Sequence, residues 1–157
     1  MRRLILLSLA GLLALAAAAQ REQDFAARFM ALYGDRHCLT CKTISPKMME
    51  RIMKLNAVGE SAQAKAVLAQ LKGIRIVTSE GEDSARHLFD EAEELAQRNN
   101  KRYKPYSKRE NLSVYVRKRG KTLVELVAVR LKDSKHFSLL DFTGNMSEDI
   151  IGQILEI

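Results

Sequence analysis

At Asn100 the chain changes its hydrophobic period, and that change decides the kind of fold it can reach. Before it, Ala85, Leu88, Phe89, Ala92, Leu95 and Ala96 recur along one helical face over residues 83–99, with Asp90, Glu91, Glu93 and Glu94 opposite. After it the period is two. Leu112, Val114 and Val116 alternate with polar partners, and Arg119-Gly120-Lys121 supplies a turn. Residues 122–132 are apolar on both faces through Leu123, Val124, Leu126, Val127 and Val129, the pattern of a central strand. Residues 104–108 predict a strand start, and residues 136–143 predict another strand beyond the Asp133-Ser134 turn. A long amphipathic helix feeding such a meander has to lay helix on sheet.

The preceding segments fit the same plan. Residues 24–33 place Phe25, Phe29, Met30 and Tyr33 at helical spacing and stop at Gly34. Residues 39–44 read as a short strand. Ser45-Pro46 starts a helix over 47–55, serine capping and proline at the first helical position, with Met48, Met49, Ile52 and Met53 inward. Residues 56–61 form a loop, and 62–72 a second helix through Ala66, Val67 and Leu71. Gly73 punctuates before a β-branched strand over 74–79, and Ser79 with Glu82 suits a capping box for the long helix. Gly144-Asn145 leads into a last helix capped by Ser147, with Glu148 and Asp149 in its first turn and Ile150, Ile151, Ile154 and Leu155 inward. Neither a repeat nor a low-complexity linker interrupts the chain. The expectation is a single α+β domain over 20–157, a two-layer sandwich whose mostly antiparallel sheet carries a C-terminal strand meander covered by amphipathic helices.

Residues 1–19 stand apart. Met1-Arg2-Arg3 is followed by an apolar run from Leu4 to Ala19 and by the small residues Ala17-Ala18-Ala19. That is the pattern of a secretory signal peptide, and the run is shorter than the roughly 20 residues a permanent span needs. Gln20 follows the expected cut where a lipoprotein would carry cysteine. The reading is an exported protein, periplasmic or secreted and not lipid-anchored, without a transmembrane segment after cleavage. Removing Arg2 and Arg3 lowers the formal net charge from +7 to +5.

The remaining positive charge is concentrated. Between Arg98 and Lys121 lie ten basic residues against one acid, Glu110. Such a block attracts polyanions and anionic head groups, or else simply guards exposed strands with lysine. Export argues against nucleic acid. Lys108, Arg109, Arg117 and Arg119, interleaved with Tyr106 and Tyr115, form the expected binding surface, for an envelope protein or an anionic surface component.

Covalent chemistry finds less support. Cys38 and Cys41 are three apart, but they precede or enter a strand, whereas a reactive pair sits at a helix N-terminus. A disulfide is open to them if Cys38 lies in the preceding turn, in an oxidising compartment; two unpaired thiols are the alternative. With His37 and the Met48, Met49 and Met53 group they would make a soft-metal set, yet those methionines match a helix core face. His37, His87 and His136 share no spacing, and no metal or other cofactor is expected. Asp141 and Glu125 are carboxylates inside apolar strands, and the expected partner of Asp141 is Arg75 or Arg130 across the sheet.

Thr43-Ile44-Ser45-Pro46-Lys47-Met48-Met49, Leu71-Lys72-Gly73-Ile74-Arg75-Ile76-Val77 and Leu140-Asp141-Phe142-Thr143-Gly144-Asn145-Met146-Ser147 together bear a resemblance. The chain resembles, from about residue 25 to 157, a family of small exported proteins classed as a domain of unknown function and widespread in Bacteroidetes. The resemblance implies an exported α+β protein, often a lipoprotein or encoded beside extracytoplasmic sigma-factor systems, and carries no catalytic residue. The leading expectation is therefore a non-catalytic binding protein of the bacterial envelope. The alternatives are an envelope-stress component working with a sigma/anti-sigma system, and a thiol-redox or soft-metal protein using Cys38 and Cys41.

Overall fold

The computed structural model describes residues 23–35, 39–54, 61–79 and 84–155. The predicted signal segment, Cys38, residues 56–60 of the predicted loop and Glu82 lie outside them.

Strands β1 (Leu39–Ile44), β2 (Leu71–Ser79), β3 (Lys104–Arg109), β4 (Leu112–Arg119), β5 (Thr122–Asp133) and β6 (His136–Met146) form one open sheet in the order β1-β2-β6-β5-β4-β3. Every neighbouring pair is antiparallel. Helices α1 (Phe25–Tyr33), α2 (Pro46–Met53), α3 (Ala62–Gln70), α4 (Ala85–Arg98) and α5 (Ile150–Leu155) pack against it. The chain pairs β1 with β2, crosses on α4 to the far edge, and returns by hairpins until β6 closes against β2.

The fold class is the expected one, and the layering goes further. On one face α1 and α4 bury Phe25, Phe29, Leu88 and Phe89 against Val77, Val127, Val129 and Leu139. On the other α2, α3 and α5 bury Met49, Val67, Ile150 and Ile151 against Val114, Val116, Leu126 and Phe142. Two helical layers sandwich the sheet where one was expected, because β5 and β6 are apolar on both faces and each face needs cover.

Several boundaries move, each for a local reason. Ser45 caps α2 as expected, its Oγ accepting from the Met48 N–H at 3.3 Å. Of its predicted inward set only Met49 is fully buried, and Met48 is 46% exposed, since a two-turn helix presents a single ridge to the sheet. Helix α3 stops at Gln70, and Leu71 and Gly73 belong to β2. Ser84, not Ser79, sits at the N-cap of α4 and makes no side-chain cap bond; Ser79 is buried at the end of β2. Gly144 and Asn145 lie within β6, and α5 begins only at Ile150.

Gly144 has a steric cause. A Cβ there would stand 2.1 Å from the Gln70 carbonyl oxygen and 3.0 Å from the Leu71 Cα. Backbone has no rotamer with which to yield. The α3–β2 junction therefore presses directly on β6, and Gln70 Oε1 adds a bond from the Ser147 N–H at 2.8 Å. Gly144→Ala is expected to cost about 1–3 kcal/mol through forced backbone shifts. An unchanged urea midpoint in the variant would contradict this packing.

A bulge in β5 places a side chain that matters below. Arg117 faces Glu125 and Lys118 faces Leu123, so Val124 has no counterpart on β4. The extra residue reverses the alternation. Leu123 and Leu126 both enter the second core, while Glu125 between them turns toward α1 on the first face.

Candidate functional site

The sequence presents the basic block as one surface; the sheet divides it. Strand β3 carries Lys104 at one end and Lys108 and Arg109 at the other. Acids from α4 and from the turn before α5 then absorb much of the block's charge. Lys108 Nζ lies 3.2 Å from Glu93 of α4, Arg98 pairs with Glu91 and Glu94, and Lys118 is bonded to Glu148. The acidic face of α4, opposite its apolar stripe, is thus the counter-surface to part of the block.

The expected binding residues scatter accordingly. Tyr106 is 54% exposed, as a surface residue should be, and Arg109 and Arg119 are exposed. Arg119 has its own interactions. Tyr115 is 3% exposed and belongs to the first core, so it is no part of a surface. It faces inward because β4 is covered on both sides, and burial, followed by the nearby Glu93 charge, pushes its hydroxyl up to about 12. Arg117 is also turned inward, at 13% side-chain exposure, with Nε 2.6 Å from Glu125 Oε2.

What remains at the Lys104 end is a basin of about 420 Å³ lined by Lys101, Arg102, Lys104, Pro105, Tyr106, Val116 and Lys118. Among the described residues Lys101 and Lys104 make no ion pair. Arg102 donates to the Gln23 carbonyl at 2.7 Å and lies over the Tyr103 ring. A second, shallower basin at the opposite end is lined by Arg109, Glu110, Asn111, Leu112, Arg130, Leu131 and Lys132.

The other concentration of charge is buried and acidic. The first amides of α1 each meet a different carboxylate. Phe25 N–H donates to Glu125 Oε1 at 2.6 Å, Ala26 N–H to Asp141 Oδ2 at 2.8 Å, and Ala27 N–H to Asp24 Oδ1 at 2.8 Å. Glu125 Oε1 also accepts from the Tyr103 hydroxyl at 3.0 Å, and Asp24 Oδ2 accepts from Arg75 Nε at 2.8 Å. Arg75 is the register neighbour of Asp141, as the cross-sheet expectation required, but its guanidinium goes to Asp24. Neither Arg75 nor Arg130 hydrogen-bonds Asp141: its Oδ2 caps α1, and its Oδ1 is buried without a partner. Burial, reinforced by the Glu125 charge, holds the Asp141 carboxyl well above the usual carboxylate range, against the pull of the Ala26 N–H.

Such a pair of carboxylates invites an acid–base reading. Glu125 is 0% and Asp141 1% exposed, so neither meets a substrate in this state. A nine-residue helix is marginal alone, and its orphan N–H groups need acceptors. The cluster docks α1 on the sheet.

The sulfur and imidazole groups do not assemble here. Cys41 is half-buried on β1 against the first core, and its predicted partner Cys38 lies outside the described residues. Met48 and Met49 diverge, one exposed and one buried. His87 stands near Glu91 on α4 and His136 against Asp133 after β5, on separate elements. Among the described residues, no three His, Cys, Asp or Glu side chains are grouped to hold a metal, and no helix is long and apolar enough to cross a membrane.

Comparison with known families gives one result: the family described as a domain of unknown function (DUF4252) matches residues 33–154. Neither the curated proteins nor the solved structures give a match.

Proposed function

The chain belongs to the DUF4252 family, which names no reaction, and we propose that it is an exported, non-catalytic binding module acting by surface recognition. Export rests on Met1-Arg2-Arg3 and the apolar run that follows, with release after Ala19 and no lipid tether, since Gln20 stands at the cut. The observation that carries the recognition reading is the basin at the Lys104 end of the sheet. There, among the described residues, Lys101 and Lys104 stand without acidic partners beside the exposed Tyr106 ring, although acids elsewhere neutralise much of the block. The partner is an anionic component of the envelope.

The test is capture from the envelope fraction of the native cells by the mature protein. Lys101→Glu with Lys104→Glu should abolish it, while Arg109→Glu, at the far end of β3, should leave it intact. Equal capture by all three proteins would sink the reading.

A further inference from the structure

We infer that this basin takes a compact sugar phosphate, its phosphate among the lysines and its ring on Tyr106. The inference rests on the binding-module reading and narrows it to a ligand class. Three ammonium groups, from Lys101, Lys104 and Lys118, line the basin, and they suit a dianion better than a single carboxylate. A phosphomonoester carries a charge of about −1.5 to −2 at neutral pH, and lysine binds it as a point charge without demanding a fixed fork geometry.

Glu148, outside the lining of the basin, holds one of the three lysines. Its carboxylate bonds Lys118 although both side chains are largely in water, at 61% and 41% exposure, so the contact is weakly held and exchangeable. An incoming phosphate displaces it. Pro105, Tyr106 and Val116 provide the apolar part of the basin. Pro105 and Tyr106 are uncovered because the cover of the second face, α2, α3 and α5, packs on β2, β6 and the middle of the sheet, and β3 is the edge; Val116 is buried in the second core and meets the basin only at its floor.

Shape and charge exclude the larger anions. A nucleic acid needs a continuous positive track, and the next lysine along β3, Lys108, is neutralised by Glu93. A bilayer needs a flat or convex basic face, and here the charge surrounds a hollow. About 420 Å³ lies within the range of small-ligand sites.

Glucose 1-phosphate titrated into the mature protein by calorimetry is the direct probe, with glucose, inorganic phosphate and phosphatidylglycerol vesicles as separate arms. Glucose 1-phosphate should bind, inorganic phosphate more weakly, and glucose and the vesicles not at all. A phosphosugar carried as a lipid head group would reproduce the result in vesicles containing it. Lys101→Glu with Lys104→Glu should weaken binding by about tenfold or more, and Tyr106→Ala by several-fold. Glu148→Gln should tighten it, because Lys118 is released. The inference is overturned if glucose 1-phosphate does not bind, if inorganic phosphate binds as well, or if vesicles of phosphatidylglycerol bind better. Envelope capture that needs Lys101 and Lys104 but resists competition by the sugar phosphate overturns the ligand class alone. Binding of the sugar phosphate with no lysine-dependent capture overturns the binding-module partner and leaves the ligand class standing.

Discussion

Replacing Glu125 with alanine is expected to unfold a large fraction of the protein under conditions where the parent is folded. The carboxylate is 0% exposed and satisfies three donors at once: the Phe25 amide, the Tyr103 hydroxyl and the Arg117 guanidinium. Its removal takes away the carboxylate 2.6 Å from the Arg117 guanidinium, which is at 13% side-chain exposure. Breaking a buried pair from one side costs about 3–5 kcal/mol, to be set against a total stability of about 5–15 kcal/mol for a domain. The loss should be concentrated in α1, whose first turn is released, and in the Phe25–Tyr103 contact, where the rings meet edge to face at 5.1 Å. Glu125→Gln keeps an acceptor for the amide and hydroxyl and should fall between alanine and the parent. Urea unfolding followed by circular dichroism measures both. A loss below about 1 kcal/mol for the alanine variant would mean that α1 is held by its apolar face alone.

Much of the architecture was legible because it depends on local periodicity. The stripe from Ala85 to Ala96 is buried at every predicted position, and β1 has its predicted bounds, as does α1 to within a residue. Asp24 and Ser45 cap as their side chains require. Local pattern could not give contacts between distant segments. Gly73 and Gly144 read as punctuation because glycine usually punctuates; here they lie within strands, and Gly144 is where another backbone segment comes close. The two helical layers were implicit in the double-sided β5, yet a pattern does not say which helices go to which face.

The candidate sites show the same division. Clustered charge is visible in sequence, but its neutralisation is not: Glu93, Glu125 and Glu148 come from α4, β5 and the turn before α5 to meet Lys108, Arg117 and Lys118. Tyr115 falls among the polar partners that alternate with Val114 and Val116 in the sequence and is nevertheless core, because α4 covers β4 from above. Glu125 and Asp141 did stand out as carboxylates among aliphatics. Their partners are 100 and 115 residues away at the start of α1, and the bulge at Val124 that aims Glu125 has no composition signal. A charged residue inside a double-sided strand is itself the sequence signal, since it has to find a donor.

Asp141 should behave oppositely to most carboxylates when the pH is raised. Burial first, and then the Glu125 and Asp24 charges, lift its folded-state pKa far above the unfolded value near 3.8; the Ala26 N–H and Arg75 oppose this only in part. The folded chain therefore binds more protons at this group than the unfolded chain does. By linkage the group's contribution to stability is full below the unfolded value and declines as pH rises through the folded one. The decline approaches about 1.4 kcal/mol per pH unit at its steepest. Tyr103, Asp24, Glu125, Arg75 and Arg117 surround the site from every neighbouring element, so the slope belongs to the cluster, and the variant must isolate Asp141. Asp141→Asn does so. Its amide oxygen still accepts from Ala26, its amide nitrogen takes the place of the unpartnered Oδ1, and no charge is buried. The expected result is equal stability at pH 4 and greater stability than the parent at pH 7, with the falling limb removed. Denaturant midpoints across that range measure it. A variant less stable than the parent at pH 7 would mean that ionised Asp141, neutralised by Arg75 and the α1 N-terminus, is the form that holds the helix.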